Sequence, residues 1–259
     1  MEKILVPTDL SEKSGAALQY AIDFGLKDKA QIYFFNDAIR QEDEAGSESG
    51  LKEIISKVQA KHQGASEVSI EPKTDKGPVL EGINKMLKAD KYGLVVMMTH
   101  GHEGLDQDVG SITAKIAQKG KAPTLVVPEN VTYKKVSNVL VVNDFTDARN
   151  DEPAFAYLSQ LISKLEVKVQ LLQAISKTGK AKPTESFAGV MGNVKAEKTE
   201  KTSFETYQEL IQYVKDYCAK NDIDLIFLPN SQAVYEKIFV GNMARLISIE
   251  TKIPVLIQW

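Results

Sequence analysis

Residues 3–11 read Lys-Ile-Leu-Val-Pro-Thr-Asp-Leu-Ser, and residues 138–146 read Asn-Val-Leu-Val-Val-Asn-Asp-Phe-Thr. In each segment a short apolar run is followed by a polar residue, an aspartate, an apolar residue and a hydroxyl-bearing residue. Self-similarity of this kind is the sequence sign of a duplicated unit, and it has to be recognised before local structure is assigned. The recurrence predicts that both halves of the chain have the same fold.

Three further pairs of segments recur in the same order along the chain. The second apolar runs are residues 30–35 and 167–172, and the later runs are residues 93–98 and 224–229. Each copy closes with a proline and an apolar run, at residues 123–127 and 254–257. We therefore predict two tandem domains, residues 1–131 and residues 132–259, with the boundary near Glu129 to Lys135.

Amphipathic segments separate these apolar runs. Residues 14–27 carry one stripe of apolar side chains, which is typical of a helix, and Ser11 is the predicted N-cap. Residues 79–87 and 210–218 are the corresponding later helices. Apolar strands that alternate with helices indicate the α/β class, with two tandem, doubly wound, parallel five-stranded sheets. In such sheets a ligand is expected at the carboxyl ends of the strands.

Two segments do not follow this scheme. Residues 41–50 are acidic and rich in glycine and serine, which predicts an exposed loop. Residues 177–203 are rich in lysine, threonine and glycine, and a connection of this length predicts a mobile segment with room for one short strand.

The composition is that of an ordinary globular protein, with 43% hydrophobic and 26% charged residues. The net charge of −3 gives no field that would attract nucleic acid or an anionic membrane. No apolar run approaches the roughly 20 residues that cross a bilayer. Cys218 is the single cysteine and cannot form an intrachain disulfide, so we expect a reducing, cytoplasmic location.

Two segments at the expected carboxyl edge of the first copy could hold a ligand. Glycines in the loop that follows the fourth strand, Gly101, Gly104 and Gly110, let the backbone approach a ligand closely. Gly110 and Ser111 open a helix, whose free N–H groups can hold a phosphate, and Thr99 begins the same loop. The other candidate residues end the first strand: Pro7, Thr8 and Asp9.

Each of these features also has a structural interpretation. The glycines can serve a tight turn into a helix, and Asp9 and Asp144 can cap the first helix of each copy. His100 and His102 lie beside acidic residues and suggest a metal site, but loops of this composition are usually only solvated. Cys218 lies on an apolar helical stripe, which favours a place in the core over a role as nucleophile.

The sequence resembles the universal stress protein family along nearly its whole length, in tandem. The resemblance rests on Val-Pro-Thr-Asp-Leu-Ser at residues 6–11, Met-Thr-His-Gly at residues 98–101, and Gly110-Ser111. It implies the fold of the adenine nucleotide α-hydrolase-like class. The members that bind ATP carry a loop of the form G-x2-G-x9-G-[S/T].

Carried over by position, the resemblance implies a role for several residues of the first copy. Asp9 would contact the adenosine, Asn36 or Asp37 would lie near the base, and the loop would bind the phosphates. The phosphate-binding residues of that loop would be Gly101, Gly110 and Ser111.

The loop also departs from the family pattern. Met98 stands where the first glycine belongs, and eight residues instead of nine separate Gly101 from Gly110. The acidic residues of the loop would repel a triphosphate unless a cation intervened. In the second copy Pro-Asn-Ser-Gln replaces the glycine pair at residues 229–232, and only Gly241 remains. We predict that the second copy binds no ATP.

No nucleophile and base can be paired in a supporting context, so the sequence predicts a non-enzymatic protein. The resemblance implies a stress-response protein that senses or scaffolds. The first domain would bind ATP or another adenine nucleotide with magnesium, with modest affinity. The alternatives are a true ATP-binding switch, a pure interaction module, and a metal site at His100 and His102. By the resemblance, the last strands, Thr124 to Val127 and Val255 to Ile257, pair the copies as a pseudo-two-fold dimer. A homodimer of whole chains stays open.

Overall fold

The computed structural model describes residues 2–38, 44–99, 112–113, 115–116, 122–143, 145, 148–177, 194–229 and 247–258. These residues form alternating strands and helices, and residues 247–251 are also helical. The elements are β1 (Lys3–Pro7), α1 (Ser14–Gly25), β2 (Gln31–Ala38), α2 (Glu44–Gln59), β3 (Ser69–Lys76), α3 (Val79–Ala89), β4 (Leu94–Thr99), β5 (Thr124–Pro128), β6 (Asn138–Asn143), α4 (Ala148–Leu165), β7 (Lys168–Ser176), β8 (Lys198–Phe204), α5 (Tyr207–Lys220), β9 (Leu225–Pro229) and β10 (Val255–Gln258).

The strands form one ten-stranded sheet in the order β3-β2-β1-β4-β5-β10-β9-β6-β7-β8. Within each copy the neighbouring strands are parallel. In the first copy the strand order changes direction between β1 and β4. The second copy has the same order when it is read from the opposite edge of the sheet. The predicted α/β class with a parallel sheet is confirmed.

The two copies meet at their last strands, since β5 and β10 pair in the antiparallel sense. Leu125 lies opposite Leu256, and Val126 lies opposite Val255. Pro123 and Pro254 precede these strands in equivalent positions, so Leu125 and Leu256 are equivalent residues that face each other.

The two faces of the sheet are covered differently. On one face α1, α2 and α4 bury a single apolar core that runs through both copies. On the other face α3 lies in a core of the first copy, and α5 lies in a separate core of the second copy that also includes Val126 of β5. Phe24 of α1 and Phe155 of α4 are almost fully buried in the shared core. The shared face therefore links the copies extensively, while on the opposite face the core beneath α3 lies within the first copy.

Residues 129–137 connect β5 to β6 and are bonded to both copies. The Tyr133 hydroxyl donates to the Asp23 carboxylate, and His62 Nε2 lies 3.2 Å from the other oxygen of Asp23. The amides of Ser137 and Asn138 both donate to Asp224, each at 2.9 Å. These hydrogen bonds fix the connector between the copies.

Two local predictions about the first copy were wrong. Residues 44–50 belong to helix α2 and not to a loop, because Leu51, Ile54 and Val58 form an apolar stripe that packs into the shared core. That packing stabilises the helix, which extends into the acidic segment despite its glycines. Ser11 is not the N-cap, since α1 begins at Ser14 after Lys13.

The long segment of the second copy contains a strand, as its length allowed. Residues 198–204 form β8, which pairs with β7 at the outer edge of the sheet. Residues 178–193 lie outside the described part of the chain. The other outer strand, β3, is also polar, and charged edge strands discourage pairing with another chain.

Removal of residues 254–259 should destabilise the protein and cause it to self-associate. The deletion takes away β10, so β5 would expose its backbone groups and apolar side chains as a new edge. We expect a lower midpoint in urea unfolding and a larger mass in light scattering after size exclusion. A control chain that lacks only residue 259 should behave as wild type. A truncated protein that stays monomeric and equally stable would contradict the expectation.

Candidate functional site

The carboxyl ends of β1, β2 and β4 lie at the same edge of the sheet, where the strand order of the first copy reverses. Ligands of doubly wound sheets bind in the crevice at such a switch point. The nucleotide-site candidates that the structure describes lie at this edge: Pro7, Thr8, Asp9, Asn36 and Thr99. The remaining candidates lie outside the described residues: Gly101, Gly104, Gly110, Ser111, and the two histidines His100 and His102.

The turn after β1 is held by its own polar side chains. Thr8 Oγ1 accepts a hydrogen bond from the Leu10 amide at 2.9 Å. Asp9 Oδ1 accepts from the Ser11 amide and from Ser14 Oγ, each at 3.0 Å. Leu10 has a φ of 64°, a left-handed conformation that these hydrogen bonds stabilise. Asp9 is exposed at the carboxyl edge and also organises the entry into α1.

The second copy builds the same turn with different residues. The Phe145 amide donates to Asn143 Oδ1, and Phe145 has a φ of 60°. Asn143 and Phe145 are the sequence equivalents of Thr8 and Leu10. Asp144 lies outside the described residues. Because both copies keep the turn, the polar residue that ends the first strand has a structural role in each.

Asn36 is buried and ties β2 to the end of β1. Its Nδ2 donates to the Thr8 carbonyl at 2.7 Å, and the Thr8 amide donates to the Phe35 carbonyl at 2.8 Å. Gln173 occupies the matching register in the second copy and is also buried. Asn36 therefore holds the backbone of the site.

Asp37 is the residue at this edge whose environment is least ordinary. It is 8% exposed, and neither of its carboxylate oxygens has a hydrogen-bond partner. Burial, and after it the negative charge of Asp75, raise the pKa of Asp37 to about 6, although Lys85 acts in the opposite direction. A buried polar group without a partner is costly, which makes it a candidate for a functional role.

Helix α3 accommodates this carboxylate through a glycine. A Cβ on Gly82 would lie 2.4 Å from Asp37 Oδ1, a distance that real Cβ contacts do not show. In the second copy the register places Ala174 at the position of Asp37, and Leu210 is the fourth residue of α5 as Gly82 is of α3. Ala174 and Leu210 are buried in one apolar core. The second copy thus replaces a carboxylate and a glycine by apolar side chains.

Thr99 and Met98 end β4 on opposite faces of the sheet. Thr99 is 3% exposed, and its hydroxyl has no hydrogen-bond partner. Met98 packs against the core on the α1 side, and its carbonyl accepts a hydrogen bond from Thr113 Oγ1 at 3.4 Å. Met98, which stands where the family loop has its first glycine, therefore packs toward the shared core.

The sequence indicated Asp37 only weakly and Gly82 not at all. Asn36 and Asp37 were equal candidates by resemblance, and the structure separates them because only Asp37 lacks a partner. A charged residue at the end of an apolar strand was the available signal for Asp37. The feature that could have drawn attention to Gly82 is a glycine inside an amphipathic helix.

The model of the universal stress protein family matches residues 1–128, which is the first copy. Residues 1–128 form a universal stress protein domain. No curated protein sequence matches the chain. In the described residues of the chain, no helix is long and apolar enough to cross a membrane, and no group of three or more metal-ligating side chains is present.

Solved structures resemble both copies at once. A universal stress protein from Archaeoglobus fulgidus is 17% identical with a TM-score of 0.73, over 99% of this chain and 95% of that one. A protein of unknown function from Pseudomonas aeruginosa is 13% identical with a TM-score of 0.69, over 100% and 92%. The cytoplasmic domain of a prokaryotic cation chloride cotransporter is 14% identical with a TM-score of 0.57, over 99% and 94%. At these identities the likeness concerns the fold of the universal stress protein domain and its tandem neighbour.

The substitution Gly82→Ala should destabilise the protein. An alanine in a helix is favourable by about 1 kcal/mol relative to glycine, but here the methyl group would overlap the Asp37 carboxylate at a cost of about 1–3 kcal/mol. In Asp37→Ala/Gly82→Ala the overlap is gone, so the double variant should be more stable than Gly82→Ala alone. Urea unfolding of the four proteins in this cycle measures the coupling. Additive effects would contradict the contact.

The substitution Asp37→Asn should stabilise the protein near neutral pH. The raised pKa means that the folded state binds the proton of Asp37 more tightly than the unfolded state does, so its contribution to stability falls as pH rises from 3.8 to about 6. The advantage of Asp37→Asn should therefore be largest near pH 7.5 and shrink as pH falls through this range. Urea unfolding at several pH values measures it.

Asp75→Asn provides the matched control, since Lys85 bonds to Asp75 and lowers the pKa of that carboxyl. Its stabilising contribution is present above the usual pKa and is lost in acid, so this substitution should have the opposite sign near neutral pH. If Asp37→Asn and Asp75→Asn changed the free energy of unfolding equally, the surroundings of Asp37 would not disfavour its charge.

Proposed function

We propose that this chain is a tandem universal stress response protein that binds an adenine nucleotide, with magnesium, in its first copy. In this proposal the protein is non-enzymatic and acts as a sensor or scaffold. The observation that carries the proposal is the set of polar groups at the carboxyl edge of the first copy. Two of these groups, on Asp37 and Thr99, are buried without partners.

The chemistry of these groups suits a nucleoside. Asp9 and Asp37 carry carboxylates, which accept hydrogen bonds from hydroxyl and amino groups. The Thr99 hydroxyl can donate or accept. A ribose and a base offer such donors and acceptors, and a bound nucleoside would relieve the cost of the unpartnered groups. A magnesium ion would reduce the repulsion between these carboxylates and a triphosphate.

The second copy is proposed to bind no nucleotide. Ala174 stands where the first copy has Asp37, and Leu210 fills the space that Gly82 leaves open. The family model also matches only the first copy. Its contribution in this proposal is structural, through pairing with the first copy. The two-fold register of Leu125 and Leu256 supports a pseudo-two-fold dimer within one chain.

Two titratable groups among the described residues are held in their neutral forms. Burial raises the pKa of the Cys218 thiol to about 12, so it stays protonated. His62 and Asp23 form a carboxylate–imidazole pair, but the third member of that cluster is the Tyr133 phenol. Burial and the Asp23 charge raise the Tyr133 pKa above its usual range, so this phenol remains neutral. The cluster holds the connector to α1.

The experiment is to denature freshly purified protein, identify the released small molecules, and titrate the emptied protein with magnesium and ATP in a calorimeter. We expect adenine nucleotide near one equivalent per chain, or saturable heat with the same stoichiometry. Asp9→Ala should abolish binding, because it removes a carboxylate at the edge and the hydrogen bonds of the turn.

Asp144→Ala is the matched control, because Asp144 is the sequence equivalent of Asp9 in the second copy. This variant should bind as wild type does. Binding that is lost in Asp144→Ala but kept in Asp9→Ala would place the nucleotide site in the second copy and contradict the proposal. A protein that contains no nucleotide and gives no heat would be a pure interaction module.

A further inference from the structure

A cavity of about 550 Å³ lies where the two copies and their connector meet. The first copy lines it with the end of α1 and the turn after α2, including Leu26 and Gln63. Val136 of the connector and residues 164–166 at the end of α4 complete the wall. The cavity has the size of a small-molecule site, and such sites are common where two domains meet.

This cavity is separate from the proposed nucleotide site. Leu26 lies between α1 and β2, and Gln63 lies between α2 and β3, so both are at the amino ends of strands of the first copy. Asp9 and Thr99 lie at the carboxyl ends of strands of the same copy. Strand β1, with its 5 residues, spans about 16 Å between these two edges.

The charges around the cavity do not balance. Its charged lining residues are Lys27, Lys61, Lys135, Lys164, Asp23 and Glu166. Lys27 pairs with Glu166, and Lys164 pairs with Asp28, which lies beside the cavity. Among the described residues, Lys61 and Lys135 form no ion pair, although the charge of Lys135 also acts on Glu166. Four lysines thus face three carboxylates, Asp28 included, and one positive charge is in excess.

Helix capping does not account for Lys61. Lysines often lie at the end of a helix because they bind its last carbonyl groups, and Lys27 does so by donating to the Ser163 carbonyl at 3.1 Å. At the end of α2, however, the carbonyls of Ser56 and Val58 already accept hydrogen bonds from the amides of residues 60–62. The Lys61 ammonium group is therefore available to a ligand.

Asp23 is the lining carboxylate that no lysine pairs among the described residues, and neighbouring side chains satisfy it. Its side chain is 11% exposed, the Tyr133 hydroxyl donates to it, and His62 Nε2 lies 3.2 Å from it. The Gly64 amide donates to His62 Nδ1 at 3.2 Å, so Nε2 carries the proton that faces Asp23. Asp23 is thus bonded within the wall, while Lys61 and Lys135 are exposed at the rim.

The floor of the cavity is apolar. Phe24 and Val136 are buried in the shared core, and Leu26 and Leu165 pack against that core. The cavity therefore combines an apolar floor, which both copies and the connector supply, with a cationic rim.

We propose that this cavity binds an organic carboxylate with an apolar body, and that the carboxylate pairs with Lys61 and Lys135. A single negative charge matches the one positive charge in excess, whereas a dianion would be repelled by Asp23 and Glu166. The apolar body gains free energy because it is removed from water against Leu26 and Leu165. Since both copies line the cavity, a bound ligand stabilises their pairing.

The test is calorimetric titration of the full chain with octanoate, with octan-1-ol and with inorganic phosphate. Octanoate should bind with a stoichiometry of one per chain. Octan-1-ol lacks the charge and phosphate lacks the apolar body, so neither should give saturable heat at the concentrations that saturate octanoate binding. The double variant Lys61→Gln/Lys135→Gln should bind octanoate about 10-fold or more weakly, the size expected for hydrogen bonds between charged groups.

Lys52→Gln is the matched control, because Lys52 is an exposed lysine of α2 that pairs with Glu48 and does not line the cavity. This variant should bind octanoate as wild type does. The inference is overturned if wild type does not bind octanoate, if octan-1-ol binds equally well, or if the double variant keeps the wild-type affinity. Competition between octanoate and magnesium-ATP would place octanoate at the nucleotide site and also overturn it. Each of these results leaves the proposed nucleotide binding to its own titration.

Discussion

The antiparallel pairing of β5 with β10 is the interaction on which the rest of the structure depends. It joins the closing strands of the two copies, so neither strand is left as an apolar edge. The strands that remain at the outside are β3 and β8, which are the most polar strands of the sheet. The distribution of charge among the strands is thus consistent with their places in one continuous sheet.

The two faces of the sheet that this pairing joins bury different cores. On the shared face, α1 and α4 pack into one core, so a change in either copy is felt by both. On the opposite face there are two cores, and the one that contains α3 is formed by residues of the first copy. A substitution beneath α3 can therefore be accommodated without disturbing the other copy.

The two copies differ on the face that α3 and α5 cover. The first copy has Asp37 and Gly82 there, and the second copy has Ala174 and Leu210. One copy keeps a carboxylate and leaves space for it with a glycine, while the other fills the equivalent volume with apolar atoms. The turn that ends the first strand lies nearer the shared face and is retained in both copies, through Thr8 and Asn143. Both copies therefore have the turn, while the residues beneath α3 and α5 differ between them.

The sequence alone determined the α/β class and the parallel strands, and it predicted the duplication and the edge at which the polar residues gather. These follow from local patterns, since apolar periodicity and the residues that end a strand are readable within short windows. The tertiary structure decided what depends on residues distant in the chain. Helix α2 replaced the predicted loop because its apolar stripe meets the shared core. Asp37 differs from Asn36 because Gly82, far along the chain, covers it without offering a hydrogen bond, and burial depends on such contacts, not on local pattern.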